Sequence, residues 1–113
     1  MRKLVKVFKA LSDQNRLRIL KMLEIRPLCV CEITAVLNLA TSTVSKHLSI
    51  LKDAEFIRDE KEGKWVNYHL NEEAPDYVAD LMPLLKQWLP DEPTVLQDRL
   101  KIERVNRFTI CKT

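Results

Sequence analysis

The sequence predicts a mainly α-helical fold with one small β-hairpin, arranged as a winged helix-turn-helix. Three observations carry this. Apolar residues recur at helical spacing from Leu4 to Leu51 and again from Tyr77 to Leu89. The period switches to alternation over residues 65–70, just after the single glycine, Gly63. A short helix followed by one faced with Ser, Thr and Lys precedes that alternating run, which is the order a winged helix requires. At 113 residues the chain fits one domain. A domain this small buries only about two-thirds of its unfolded surface, so a homodimer that shares core is expected.

In chain order, Leu4, Val5, Val7, Phe8 and Leu11 give a first helix over about 2–11. Ser12 or Asp13 then caps a second helix, from Gln14 to Glu24. Its apolar residues are Leu17, Ile19, Leu20, Met22 and Leu23, with Arg16, Arg18 and Lys21 elsewhere on the wheel, and Pro27 stops it. A third helix runs from near Cys31 to Leu37, with Ile33, Val36 and Leu37 inward. After a turn at 38–41, Thr41 or Ser42 caps a fourth helix to Ala54, with Val44, Leu48 and Leu51 inward. Phe56-Ile57 and Trp65–Leu70 read as two strands, with Lys61 and Lys64 flanking the tip at Glu62-Gly63.

Helical spacing returns at Tyr77, Val78, Leu81, Leu84, Leu85, Trp88 and Leu89. That stripe is too wide for a lone surface helix, so a second chain is its expected cover, and Pro83 inside it costs a hydrogen bond. Asp91-Glu92-Pro93 breaks the helix, and residues 94–106 form either a further helix packed on the dimer or a loosely held tail. The whole chain, 1–113, thus reads as one domain. The helix-turn-helix spans about 31–54, the wing about 56–70, dimerisation helices about 2–11 and 74–90, and a C-terminal extension 94–113.

Residues 1–70 carry 13 Lys+Arg against 8 Asp+Glu, and residues 71–113 carry 6 against 8. The basic excess therefore lies with the helix-turn-helix and wing, which points to double-stranded DNA as the partner; RNA is not expected. On the fourth helix, Ser42, Thr43, Ser45, Lys46 and Ser49 face away from the apolar residues and suit a DNA groove, with hydroxyls for base edges or phosphates and Lys for charge. Lys61 and Lys64 would contact backbone from the wing. No stretch approaches the ~20 apolar residues of a membrane span. The opening Met1-Arg2-Lys3-Leu4-Val5-Lys6 is charged too often for a signal peptide, so a cytoplasmic location is expected. In that setting Cys29, Cys31 and Cys111 are expected as reduced thiols for metal or redox chemistry.

Four stretches resemble the ArsR/SmtB family of winged-helix repressors, and its arsenic-responsive branch in particular. They are Phe8–Leu20, Leu28-Cys29-Val30-Cys31-Glu32-Ile33, Ser42–Leu51 and Gly63–Leu70. The resemblance implies an operator-binding homodimeric repressor, not an enzyme, with the second stretch as its metal box. It implies release by As(III) or Sb(III) bound to Cys29 and Cys31. Three departures stand out: Thr34 occupies the place of a frequent third Cys, Glu55 replaces the usual Gly after the recognition helix, and a third thiol, Cys111, lies near the C-terminus, where the resemblance to relatives with a ligand outside the box makes it a candidate third ligand.

Trivalent arsenic and antimony prefer thiolate sulfur. Two Cys at i and i+2 lie about 200° apart on a regular helix, so joint binding requires unwinding at the helix start. The helix N-terminus is expected to lower their pKa. Alternatives are a thiol-based redox sensor and a Cd(II)- or Pb(II)-responsive repressor of the same fold. A small thiol oxidoreductase is disfavoured by the missing Cys-x-x-Cys and βαβ pattern. An interaction module built on residues 77–89 with no DNA role is a further alternative. His47 reads as a satisfied packing histidine, and residues 74–90 hold no His for a zinc or nickel site.

Overall fold

The computed structural model describes residues 1–106. Helices α1 (Arg2–Leu11) and α2 (Gln14–Leu23) are followed by a two-residue strand β1 (Leu28–Cys29), then α3 (Val30–Leu37) and α4 (Thr41–Asp53). Strands β2 (Ile57–Glu62) and β3 (Trp65–Leu70) form the hairpin, and α5 (Asp76–Gln87) and α6 (Pro93–Arg104) close the chain. The helix-turn-helix is α3–α4 and the wing is β2–β3.

Local chemistry sets most boundaries. The Asp13 carboxylate accepts from the N–H groups of Asn15 (2.8 Å) and Arg16 (3.2 Å), satisfying donors that open α2. Asn38 ends α3 in the left-handed region (φ 56°), a conformation Asn tolerates well. The cap expected at Thr41 or Ser42 is not formed: α4 starts at Thr41, with Ala40 at the cap position and no side-chain bond there. Gly63 (φ 60°) and Lys64 make a two-residue loop between the paired Glu62 and Trp65.

The sheet has three strands rather than two, in the order β1-β3-β2, all antiparallel. Leu28 pairs with Tyr68 and Cys29 with Asn67. A two-residue strand leaves no periodic signature, so β1 was not visible in the pattern. Behind the sheet, Ile19, Met22, Leu28, Ile33, Val36, Val44, Leu48, Leu51, Phe56 and Ile57 form the core. The inward triad of α4 matches the expectation, each residue being fully buried.

Helix α6 packs on its own subunit. Val95, Asp98 and Ile102 point inward. Arg18 Nε and NH2 donate to the two carboxylate oxygens of Asp98 at 2.8 and 2.9 Å. Arg18 and Lys21 therefore do not lie on a solvated side of α2. Lys21 is buried, and its ammonium donates to the carbonyls of Leu85 (2.9 Å) and Trp88 (2.8 Å) at the end of α5 and pairs with Glu24. A lysine on the final carbonyls of a helix opposes the negative end of its dipole. On α5, Val78 and Leu85 face the core while Tyr77, Leu84 and Trp88 remain exposed; on α1, Val5 and Phe8 do the same.

Candidate nucleic-acid interface and thiol site

Burial of Val44, Leu48 and Leu51 turns the opposite side of α4 outward. Ser42, Thr43, Ser45, Lys46 and Ser49 are all exposed there, so the structure brings the five expected residues to one face. Lys61 at the end of β2 and Lys64 in the loop are exposed at the wing tip, with Lys64 Nζ 5.0 Å from the centre of the Trp65 ring. Lys52 joins the two elements through a 3.0 Å bond to Asp59 of β2, a bond that also holds its ammonium above the ordinary lysine pKa. Part of the basic excess of residues 1–70 is used elsewhere: Lys6 pairs with Asp53, and Lys3 with Asp76 and Glu55.

His47 lies beside the buried face of α4, with Nδ1 3.1 Å from Arg16 NH1, in agreement with a satisfied packing histidine. His69 Nδ1 lies 3.0 Å from the Leu70 carbonyl oxygen.

The thiols sit where the sheet hands over to the helix-turn-helix. Cys29 is the second residue of β1 and also the N-cap of α3, in extended conformation, and it is 2% exposed. Cys31 follows in the first turn of α3. Because Cys29 is not helical, the angular separation expected for two helical positions does not apply. Cys31 is disulfide-bonded, so the expectation of three reduced thiols fails there, whereas Cys29 is a free, buried thiol. Cys111 lies outside the described residues. Among the described residues, no group of three His, Cys, Asp or Glu side chains converges in a metal-binding arrangement.

The expected lowering of the thiol pKa is overturned for Cys29. Burial pushes it up, the Glu32 carboxylate adds to the rise, and the N–H groups of Glu32 and Cys31 only partly oppose this. Cys29 and Glu32 form a capping box in which Glu32 Oε1 accepts from the Cys29 N–H at 3.0 Å. The other carboxylate oxygen accepts from Arg26 NH1 at 3.1 Å. Arg26 NH2 then donates to the carbonyls of Ile102 (3.2 Å) and Val105 (3.3 Å) at the end of α6. The thiol turn is thus tied to the end of α6. The Cys29–Glu32 spacing was a legible capping signal; the partnership of Arg26 with α6 was not, since it spans 76 and 79 positions of sequence.

The family profile described as "Bacterial regulatory protein, arsR family" matches residues 13–59, from the cap of α2 into β2. The arsenic resistance transcriptional regulator ArsR2 of Pseudomonas putida is 36% identical over 97 residues, covering 81% of this chain and 84% of that protein. The chain belongs to the ArsR family of DNA-binding transcriptional repressors. An arsenical resistance operon repressor of Escherichia coli is 35% identical, covering 69% of this chain and 68% of the relative. Among solved structures, a homodimeric winged helix-turn-helix DNA-binding domain from Mycobacterium bovis superposes with a TM-score of 0.64 at 28% identity, covering 76% of this chain and 77% of that one. These ArsR-family relatives are regulators rather than enzymes. No described helix is long and apolar enough to cross a membrane.

Proposed function

We propose that this ArsR-family repressor acts as a homodimer and, once a cellular thiol has reduced the disulfide at Cys31, is released from its operator when As(III) or Sb(III) binds Cys29, Cys31 and Cys111. The observation that carries the proposal is the place of Cys29 and Cys31. The segment Cys29-Val30-Cys31 ends the strand paired to the wing and opens the helix that leads to α4. A ligand that draws its sulfurs together deforms both DNA-gripping elements at their shared root. Relatives named for arsenical resistance support the choice of inducer. In this reading Ser42, Thr43, Ser45, Lys46 and Ser49 grip the major groove, and Lys61 and Lys64 the backbone beside it. The exposed apolar residues of α1 and α5 meet their copies across the dimer.

Two sulfurs leave trivalent arsenic one ligand short. The Arg26 link holds the end of α6 beside the thiol turn, and Cys111 is six residues past Val105. Six residues reach about 20 Å when extended, enough to supply the third sulfur within one subunit.

The test is arsenite titration of the reduced chain on its promoter DNA, beside Cys29→Ser, Cys31→Ser and Cys111→Ser. Release of wild type but not of the first two variants is expected. A Cys111→Ser variant that responds like wild type removes Cys111 from the site. Wild type that stays bound at saturating arsenite overturns the assignment. A second reading, thiol oxidation as the signal, is favoured by the disulfide at Cys31. Equal release by peroxide and by arsenite would support it. A relative of Staphylococcus aureus named as a cadmium resistance regulator, 44% identical over 69 residues, makes Cd(II) the third arm of the same titration.

A further inference from the structure

Arg16 joins three helices through one planar group. Its Nε donates to the Ala10 carbonyl at 2.8 Å and NH2 to the Lys9 carbonyl at 3.0 Å, so two arms of the guanidinium close the end of α1. The third nitrogen, NH1, lies 3.1 Å from Nδ1 of His47 on α4. Arginine can only donate, so in this hydrogen bond Nδ1 is the accepting atom. Because the guanidinium is rigid, its two bonds to α1 fix the direction of the third. The Asp13 carboxylate faces the same group and holds the Arg16 backbone N–H.

We propose that Arg16 and His47 are a positioning pair that fixes the roll of the recognition helix about its axis, and thereby sets base discrimination rather than overall DNA affinity. Between Thr41 and Ser49 the exposed side of α4 carries one charge, on Lys46, among short hydroxyl side chains. Such side chains have little reach, so their contacts depend on helix orientation. A roll of about 20° moves a side-chain tip about 5–6 Å from the axis by about 2 Å. That displacement exceeds the tolerance of a hydrogen bond to a base edge, whereas the attraction of Lys to the phosphate backbone survives it. The buried residues Val44, Leu48 and Leu51 are apolar and hold α4 without directional bonds. Lys52–Asp59 and Lys6–Asp53 are exposed pairs at the far end of α4, whereas the bond to His47 is a directional tie at mid-helix.

The inference rests on DNA binding by the family fold and not on the identity of the inducer. Its test uses the duplex that the reduced wild-type chain itself enriches from a random-sequence pool, against a scrambled duplex of the same length. Affinities for both are measured over a range of salt for Arg16→Gln, His47→Leu, His47→Gln and the double variant Arg16→Gln/His47→Leu. His47→Leu is expected to lower the ratio of selected to scrambled affinity by about 5–100-fold, the range set by losing one good base contact. Scrambled-duplex affinity should stay within about twofold, with the salt slope unchanged. The double variant should be no worse than the more impaired single one, since the two residues act through one bond. His47→Gln, whose side-chain oxygen can accept from Arg16, should restore most of the ratio.

Because Arg16 also closes α1, its substitution can lower stability. His47→Leu leaves that closure intact and carries the test by itself. If His47→Leu melts like wild type and keeps the full ratio, the proposal is wrong. It is equally overturned if Arg16→Gln weakens both duplexes alike and lowers the salt slope by about 0.9, the signature of a lost phosphate contact.

Discussion

The bond between Arg18 and Asp98 permits a prediction in which the order of two costs matters more than either value. The pair is bidentate and holds α6 against α2, but the partners are unequally hidden: the Asp98 side chain is 3% exposed and the Arg18 side chain 17%. The hydrogen bond to Asp98 outweighs burial and holds the Arg18 pKa above its ordinary value. Replacing Arg18 by Met strands a carboxylate out of reach of water, at a cost of about 3–5 kcal/mol. Replacing Asp98 by Asn leaves a guanidinium that still has one acceptor from the new amide, another from Asn15 at 3.2 Å, and an edge open to solvent. That loss should be about 1–2 kcal/mol. The apolar double variant Arg18→Met/Asp98→Leu should recover to within about 1–2 kcal/mol of wild type, because neither charge remains to be desolvated. Urea unfolding measures all four chains, at one fixed protein concentration because the stability of the proposed dimer depends on it. Equal costs for the two single variants, or a double variant no better than Arg18→Met, would refute the argument from unequal burial.

Four further outcomes are expected. Glu55 occupies the left-handed region at φ 70°, where a side chain costs about 1–2 kcal/mol. Glu55→Gly relieves this but adds unfolded-chain entropy worth about 0.4–1 kcal/mol, so a net gain of about 0.5–1 kcal/mol should raise the melting temperature by a few degrees. Asp13→Ala should lose about 1 kcal/mol through its cap. Burial raises the Asp13 carboxyl, but the N–H groups of Arg16 and Asn15 outweigh it and leave the pKa below the usual value. The stability this adds is present above about pH 3.9, the unfolded value, and falls away as the pH drops through the lower folded one; the acid limb of a pH-stability curve should therefore be shallower in Asp13→Ala. Thr34 lies one turn after Cys31, and its buried hydroxyl has no hydrogen-bond partner among the described residues. Thr34→Cys in a Cys111→Ser background should restore arsenite release, read as the midpoint of the DNA titration; no change would place Thr34 away from the sulfurs. The fourth is a shift of Trp65 emission in the wing on arsenite addition.

Much of the architecture was legible because it is periodic. The buried triad Val44, Leu48 and Leu51 fixes which side of α4 faces out, so the exposed set from Ser42 to Ser49 follows from spacing alone. The hairpin was legible because alternation and Gly63 coincide. Features made by single long-range bonds were not. Lys21, Arg18 and Arg26 look like solvated cations in sequence, yet each seeks carbonyls or a carboxylate that lie 64 or more positions away. Charge periodicity carries no information about such partners. The thiol pKa was misjudged for a related reason. A helix start favours a thiolate, but Cys29 is also buried and faces Glu32, and those two effects prevail.

Strand β1 was also missed, and it changes how a signal at the thiols can travel. With a two-stranded wing, the path from Cys31 to DNA runs along α3 into α4 only. The pairing of Cys29 with Asn67 adds a second path, straight into the central strand of the wing. Asn67 is two residues from Trp65, which reports on that strand and lies next to the Lys64 ammonium. In a Trp88→Phe background Trp65 is the sole tryptophan. Its emission should then shift on arsenite addition in the absence of DNA, at the same arsenite concentrations that release the operator, and Cys29→Ser should abolish the shift. DNA release with an unchanged Trp65 signal would sink the second path. The α3–α4 connection would then remain as the route, with β1 acting as a brace for the wing. A shift that precedes release would instead make the wing the first element to let go. That order follows from physical connectivity: β1 reaches the wing through a direct strand pairing, whereas along the chain the recognition helix is reached through the full length of α3 and the turn at Asn38.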